Sequence, residues 1–176
     1  MRSTYLTTVL VIIGLFCSSF TFYSLQSYEI AEDYGVKFST KGAEGTFSDL
    51  TGTVTFDASD LSASKFDVSV STATIETGNK TQNKHAKGDS WLDAETYPRI
   101  SFVSSTFNKT NGGYAVSGEL TIHGVTKSVA IPFIFENSTF SGSLSVRRED
   151  YGINGPRLFG SFVGDEIEVS LQVPVN

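Results

Sequence analysis

Tyr97-Pro98-Arg99-Ile100-Ser101-Phe102 and then Gly118-Glu119-Leu120-Thr121-Ile122-His123-Gly124-Val125-Thr126-Lys127-Ser128-Val129-Ala130-Ile131-Pro132-Phe133-Ile134-Phe135 decide the fold. Val116, Leu120 and Ile122 alternate with Ser117, Glu119 and Thr121, and beyond the turn Val129, Ile131, Phe133 and Phe135 share one face. A period of two, rich in β-branched and aromatic residues, marks half-buried antiparallel strands. His123 to Lys127 is short and holds a glycine, so it joins the two runs as a hairpin. Asn111-Gly112-Gly113 is a second tight turn, joining the preceding strand to this pair. The stretch is a meander.

The same period extends outward in both directions. Upstream, Val36 and Phe38 form a first alternating pair within Tyr28 to Thr40, and Val54 and Phe56 share a face. Phe66, Val68 and Val70 then alternate with Lys65, Asp67, Ser69 and Ser71. Downstream, Phe140, Gly142, Leu144 and Val146 form another alternating run. Ile167, Val169, Leu171 and Val173 form the last strand, which Pro174 ends. Two segments break the pattern. Asn79 to Glu95 is polar and carries His85, Trp91 and Leu92. It reads as one or two short helical turns crossing an end of the sheet, with Ser90 and Asp93 resembling a helix-start box. Arg147 to Gly164 reads as a Gly-rich loop in which Tyr151, Ile153, Leu158, Phe159 and Phe162 are dispersed.

About eight strands joined mostly by short turns make an all-β domain, closing as a sandwich or as an up-and-down barrel that has no exposed edges. The 14 Phe, 7 Tyr and 16 Gly among 176 residues fit such a chain. A formal net charge of -6, without basic clusters, argues against nucleic-acid binding. The first 19 residues read as a signal peptide. Arg2 supplies the positive end, Leu6 to Phe16 is apolar, and small residues follow at Cys17 to Ser19. An uncleaved anchor is the alternative for this segment. Bulky Phe16 argues against lipidation of Cys17. Residues 20–176 form the barrel domain, and a cleaved chain has no cysteine for a disulfide or thiolate metal site.

Several stretches, in order, resemble the YceI-like family of exported polyisoprenoid-binding proteins. They are Phe47-Ser48-Asp49-Leu50-Thr51-Gly52, Ile75-Glu76-Thr77-Gly78-Asn79, His85, Tyr97 to Phe102, Gly118 to Lys127, and Val163-Gly164-Asp165-Glu166-Ile167. The resemblance spans Tyr28 to Val173. It implies an eight-stranded antiparallel, lipocalin-like barrel holding an isoprenoid chain lengthwise, in a periplasmic or secreted protein of the bacterial envelope. Ala31-Glu32-Asp33-Tyr34-Gly35 lacks the His that the family usually carries at the opening of the first strand.

The inward-facing residues have two readings. Phe38, Val54, Phe56, Phe66, Val68, Val70, Ile100, Phe102, Leu120, Ile122, Ile131, Phe133, Phe135 and Leu144 line a tunnel for an apolar tail, or they pack on one another as an ordinary core. Periodicity does not separate these, and the resemblance implies the tunnel. His85 with Lys84 and Lys87, Trp91 and Tyr97 are the candidates for a mouth that meets a lipid headgroup; the plain reading makes them local backbone partners and a barrel plug. Arg147-Arg148-Glu149-Asp150 reads as a solvated charge run. Two separated His residues make a weak metal case, and Asn79, Asn108 and Asn137 open glycosylation-type tripeptides in turns. No nucleophile elbow or phosphate-binding Gly loop is present. The expectation is therefore a binding protein, not an enzyme, whose partner is an isoprenoid lipid, with no further cofactor. Contact with the envelope membrane and self-association are compatible with it. A filled barrel serving as an envelope interaction module is the alternative.

Overall fold

The computed structural model describes residues 26–155 and 163–176; the N-terminal apolar segment and Leu158, Phe159 and Phe162 lie outside them. Among the described residues ten strands form one antiparallel sheet: β1 (Ser27–Tyr28), β2 (Gly35–Thr40), β3 (Ala43–Phe47), β4 (Thr51–Thr55), β5 (Lys65–Ser71), β6 (Arg99–Thr110), β7 (Gly113–Ile122), β8 (Val125–Glu136), β9 (Thr139–Arg147) and β10 (Glu166–Pro174). From β4 through β10 each strand pairs with the next in sequence, as a meander requires.

The count of ten rather than eight has a local cause. β1 pairs with β4 through Tyr28↔Val54, and β2 pairs with β3 through Val36↔Phe47. These are the two halves of one kinked hairpin, so the ten strands occupy eight places around the ring. Its break falls at Ser48-Asp49-Leu50, where Asp49 takes a left-handed φ of 58°. β2 also pairs with β10, and an isolated bridge joins Ile30 to Val175. The first kinked strand thus has the last strand on one side and β3–β4 on the other. The sheet closes on itself, which removes its edges.

β3 escapes the periodicity because its inward positions are Ala43, Gly45 and Phe47. A Cβ on Gly45 would stand 2.3 Å from the Glu76 carbonyl oxygen and 2.9 Å from the Phe38 ring. Only glycine admits that approach, and Thr46 and Glu76 exchange backbone hydrogen bonds there at 2.9 and 3.0 Å. Two hairpin turns place both central residues in the left-handed region, His123-Gly124 between β7 and β8 and Asn137-Ser138 between β8 and β9. This geometry matches the twist of the flanking strands.

The crossing between β5 and β6 holds one helix, α1 (Lys80–Lys87). It starts ten residues before the Ser90–Asp93 box expected to open it. The Asn79 side-chain oxygen accepts from the backbone N–H of Thr81 and Gln82, capping the helix. Asn83, the buried residue of the helix, accepts from both the amide and the hydroxyl of Thr77. Among the described residues no helix is long and apolar enough to cross a membrane.

Candidate functional site

The barrel interior is not filled. A cavity of about 930 Å³ runs inside the ring. Of the side chains expected to face inward, twelve line it: Phe38, Val54, Phe66, Val68 and Val70 from the first half, then Ile100, Phe102, Leu120, Ile122, Ile131, Phe133 and Leu144. Alternation places them there, since every second residue of a barrel strand points into the lumen. The polar groups on the lining include Gln82, Lys84, His85, Asp89 and Arg148, all from the segments that cross the α1 end. That end is the mouth.

Three expected site residues do not line the cavity. Phe56 and Phe135 sit below it, in an aromatic plug at the end formed by the β6–β7 and β8–β9 hairpins. Phe56 is 2% exposed, and its ring meets Tyr114 at 5.0 Å, Phe135 at 5.4 Å and Phe140 at 5.5 Å, all edge to face. Both faced inward, as expected, but inward at the closed end means packed. Tyr97 lies away from the cavity, against the β7–β8 turn. Its ring centroid is 4.5 Å from that of His123, and a Cβ on Gly124 would stand 2.6 Å from it. The bare glycine leaves the tyrosine its seat.

The charge run at the end of β9 is not uniformly solvated. Arg147, Glu149 and Asp150 are exposed, but Arg148 is 8% exposed and lines the cavity. Its Nη1 donates to the Ile153 carbonyl at 2.6 Å and its Nε to the Gly164 carbonyl at 3.1 Å, while its guanidinium lies 5.6 Å from the centre of the Trp91 ring. A cation above an indole gains from the ring quadrupole. Sequence did carry a signal: Gly142, Leu144 and Val146 alternate on the inner face, and the next position in that series is Arg148. Trp91 itself lines the mouth, as does His85.

Asp165 fixes the loop beside this arginine. Its carboxylate accepts from Arg147 Nε at 2.6 Å and from the Glu149 amide at 3.0 Å. The Glu149 amide and the Arg147 guanidinium hold its pKa below the usual carboxylate value. Tyr151, buried and lining the cavity, has its phenol pushed up by burial and by the Asp150 charge. Sequence reasoning also missed Phe47, Leu50, Ile75 and Phe140 on the lining. Among the described residues no group of three His, Cys, Asp or Glu is placed to hold a metal.

A family model for the YceI-like domain matches residues 27–175, the whole of the barrel just described. The chain belongs to the YceI-like family. Among relatives of this YceI-like chain, a UPF0312 protein of Pseudomonas savastanoi pv. phaseolicola is 37% identical over 123 residues, covering 64% of each chain. The match thus spans a little less than two thirds of that relative's length. Among solved structures, BcnA of Burkholderia cenocepacia is 27% identical with a TM-score of 0.78, over 84% of this chain and 99% of that one. A polyisoprenoid binding domain from Saccharophagus degradans, implicated in plant cell wall breakdown, is 14% identical with a TM-score of 0.60, over 85% and 97% of the two chains. At that identity the likeness concerns the fold.

The family motifs acquire physical roles here. Arg99, from Tyr97-Pro98-Arg99, ties β6 across the outside of the barrel to the Phe47–Gly52 stretch. Its Nη1 meets Asp49 Oδ2 at 2.7 Å, and its Nη2 donates to the Asp49 and Ser69 carbonyls and the Thr51 hydroxyl. The Val163–Ile167 stretch docks on the β2–β3 turn, where the Gly164 amide donates to the Lys41 carbonyl at 2.8 Å.

Proposed function

We propose that this YceI-like chain is a lipid-binding protein of the bacterial envelope that shelters a polyisoprenoid tail, such as that of a prenyl quinone or polyprenol. The observation that carries the reading is the 930 Å³ cavity, whose lining is mostly apolar and gathers its ionisable groups, Lys84, His85, Asp89 and Arg148, at the α1 end. Such a lumen takes an apolar chain lengthwise and leaves a headgroup beside His85, Trp91 and Arg148. Each CH₂ withdrawn from water contributes about 0.8 kcal/mol, so a long tail binds tightly with few polar contacts. Membership of the family and the fold shared with a polyisoprenoid binding domain support the same ligand class. The apolar segment at 1–19 supports export.

Mass spectrometry of an organic extract from the purified, exported protein tests the reading directly. A stoichiometric prenyl lipid is the expected result. Phe102→Asp, which puts a carboxylate in the lumen wall, should give a folded barrel that copurifies without it. An extract that stays empty after the wild-type chain is incubated with prenyl quinones and polyprenols overturns the assignment.

A further inference from the structure

We propose that the aromatic floor built on Phe56 measures the tail: it sets the longest isoprenoid that the lumen buries completely. This rests on the lipid-binding reading and goes beyond it to specificity. The cavity's ionisable lining groups, Lys84, His85, Asp89 and Arg148, gather at the α1 end, which we take as the mouth. Away from α1 the lining residues Phe133 and Phe140 pack on Phe56, which does not itself line the cavity, its ring 5.6 Å from Phe133 and 5.5 Å from Phe140. Rings meeting edge to face are close-packed and stiff, so a tail does not thread between them. Behind the floor, the β4–β5 loop is tied down by its own side chains. Asp57 Oδ1 accepts from the Ser59 amide at 2.7 Å, and the Ser64 hydroxyl accepts from the Asp57 amide at 3.0 Å. The tail therefore stops at the floor.

Volume then becomes length. At interior packing density an isoprene unit occupies about 120 Å³, so a 930 Å³ lumen takes roughly seven whole units and has too little room for an eighth. Units added beyond that remain in water at the mouth. Each CH₂ left exposed weakens binding about fourfold relative to a lipid phase. Selection among tails follows from depth alone, without any contact to the headgroup.

The test loads the delipidated full-length protein from detergent micelles holding an equimolar series of polyprenols of increasing length, then identifies the bound species by mass spectrometry. The wild-type distribution should fall away above roughly seven units. Phe56→Ala opens about 100 Å³ behind the floor and should move that cut-off up by about one unit. Val116→Phe fills the lumen from the wall above the floor and should move it down. Unchanged distributions in both variants overturn the ruler while leaving lipid binding intact. If Phe56→Ala does not fold, Val116→Phe decides alone, and an unchanged cut-off there overturns the proposal. Wild-type protein that takes up no polyprenol of any length removes the underlying reading as well.

Discussion

Arg99 is the residue on which the outer wall turns. One guanidinium serves Asp49, Thr51 and Ser69, and so binds three neighbouring strands where β3 breaks into β4. Replacing it by alanine leaves the Asp49 carboxylate without its charged partner at a left-handed residue. Because the pair is part-exposed, the loss should be about 1–2 kcal/mol, read as a lower urea midpoint with an unchanged slope. Asp165 makes the equivalent clamp at the mouth. Its pKa is depressed in the folded chain by the Glu149 amide and Arg147. Its contribution to stability is therefore complete above the unfolded value of about 3.9 and is lost as pH falls through the lower folded value. Asp165→Asn should flatten the acid limb of the stability curve below about pH 4, leaving its slope near neutrality unchanged. An acid limb as steep as that of the wild type would assign the pH dependence to other carboxylates.

Among elements, the β8–β9 hairpin is under the clearest backbone strain. Asn137 and Ser138 have φ of 49° and 54°, and Ser138 carries a Cβ in a region where glycine rests freely. Ser138→Gly converts the turn to Asn-Gly, the preferred pair for this geometry. It should stabilise the barrel by about 0.5–1 kcal/mol, raising Tm by roughly 1–4 °C in a scanning calorimeter. A fall in Tm would show that the serine side chain supports the turn. The turn lies beside the chain end, since the Val175 amide donates to the Ser138 carbonyl at 2.8 Å. The change therefore also reports on how firmly the last strand is held.

At the scale of the whole molecule, an open lumen is a stability deficit. Side chains lining a void lose the dispersion contacts that a filled core would give them. A tail that fills it supplies those contacts and binds only the folded state. The chain should therefore melt higher when prenyl lipid is present. The gain is about 2.7 kcal/mol at a hundredfold excess over Kd, and it grows with lipid concentration. Melting temperature indifferent to added prenyl lipid would match a barrel with no ligand.

Much of this architecture is legible residue by residue. The alternation through Phe66, Val68, Val70, Leu120, Ile122, Ile131 and Phe133 fixes which side chains enter the lumen, because a strand turns every second residue to the same face whatever its partners. The tight turns at Asn111-Gly112, His123-Gly124 and Asn137-Ser138 fix the meander, because short loops join neighbouring strands. Local pattern also marks the polar crossing that carries His85 and Trp91. Depth along the barrel axis is another matter. Phe56 and Phe133 have the same alternating signature, yet one is packed floor and the other lining wall. Tyr97 and Trp91 sit six residues apart in one crossing, yet only Trp91 reaches the mouth. Arg148 looks like a surface charge until β9 is followed one step further round the ring. These assignments depend on how strands from distant parts of the chain are staggered as the sheet closes. Periodicity gives a side chain's face but not its height, so sequence determined the walls of this barrel, and tertiary structure alone determined its floor, its mouth and the space between them.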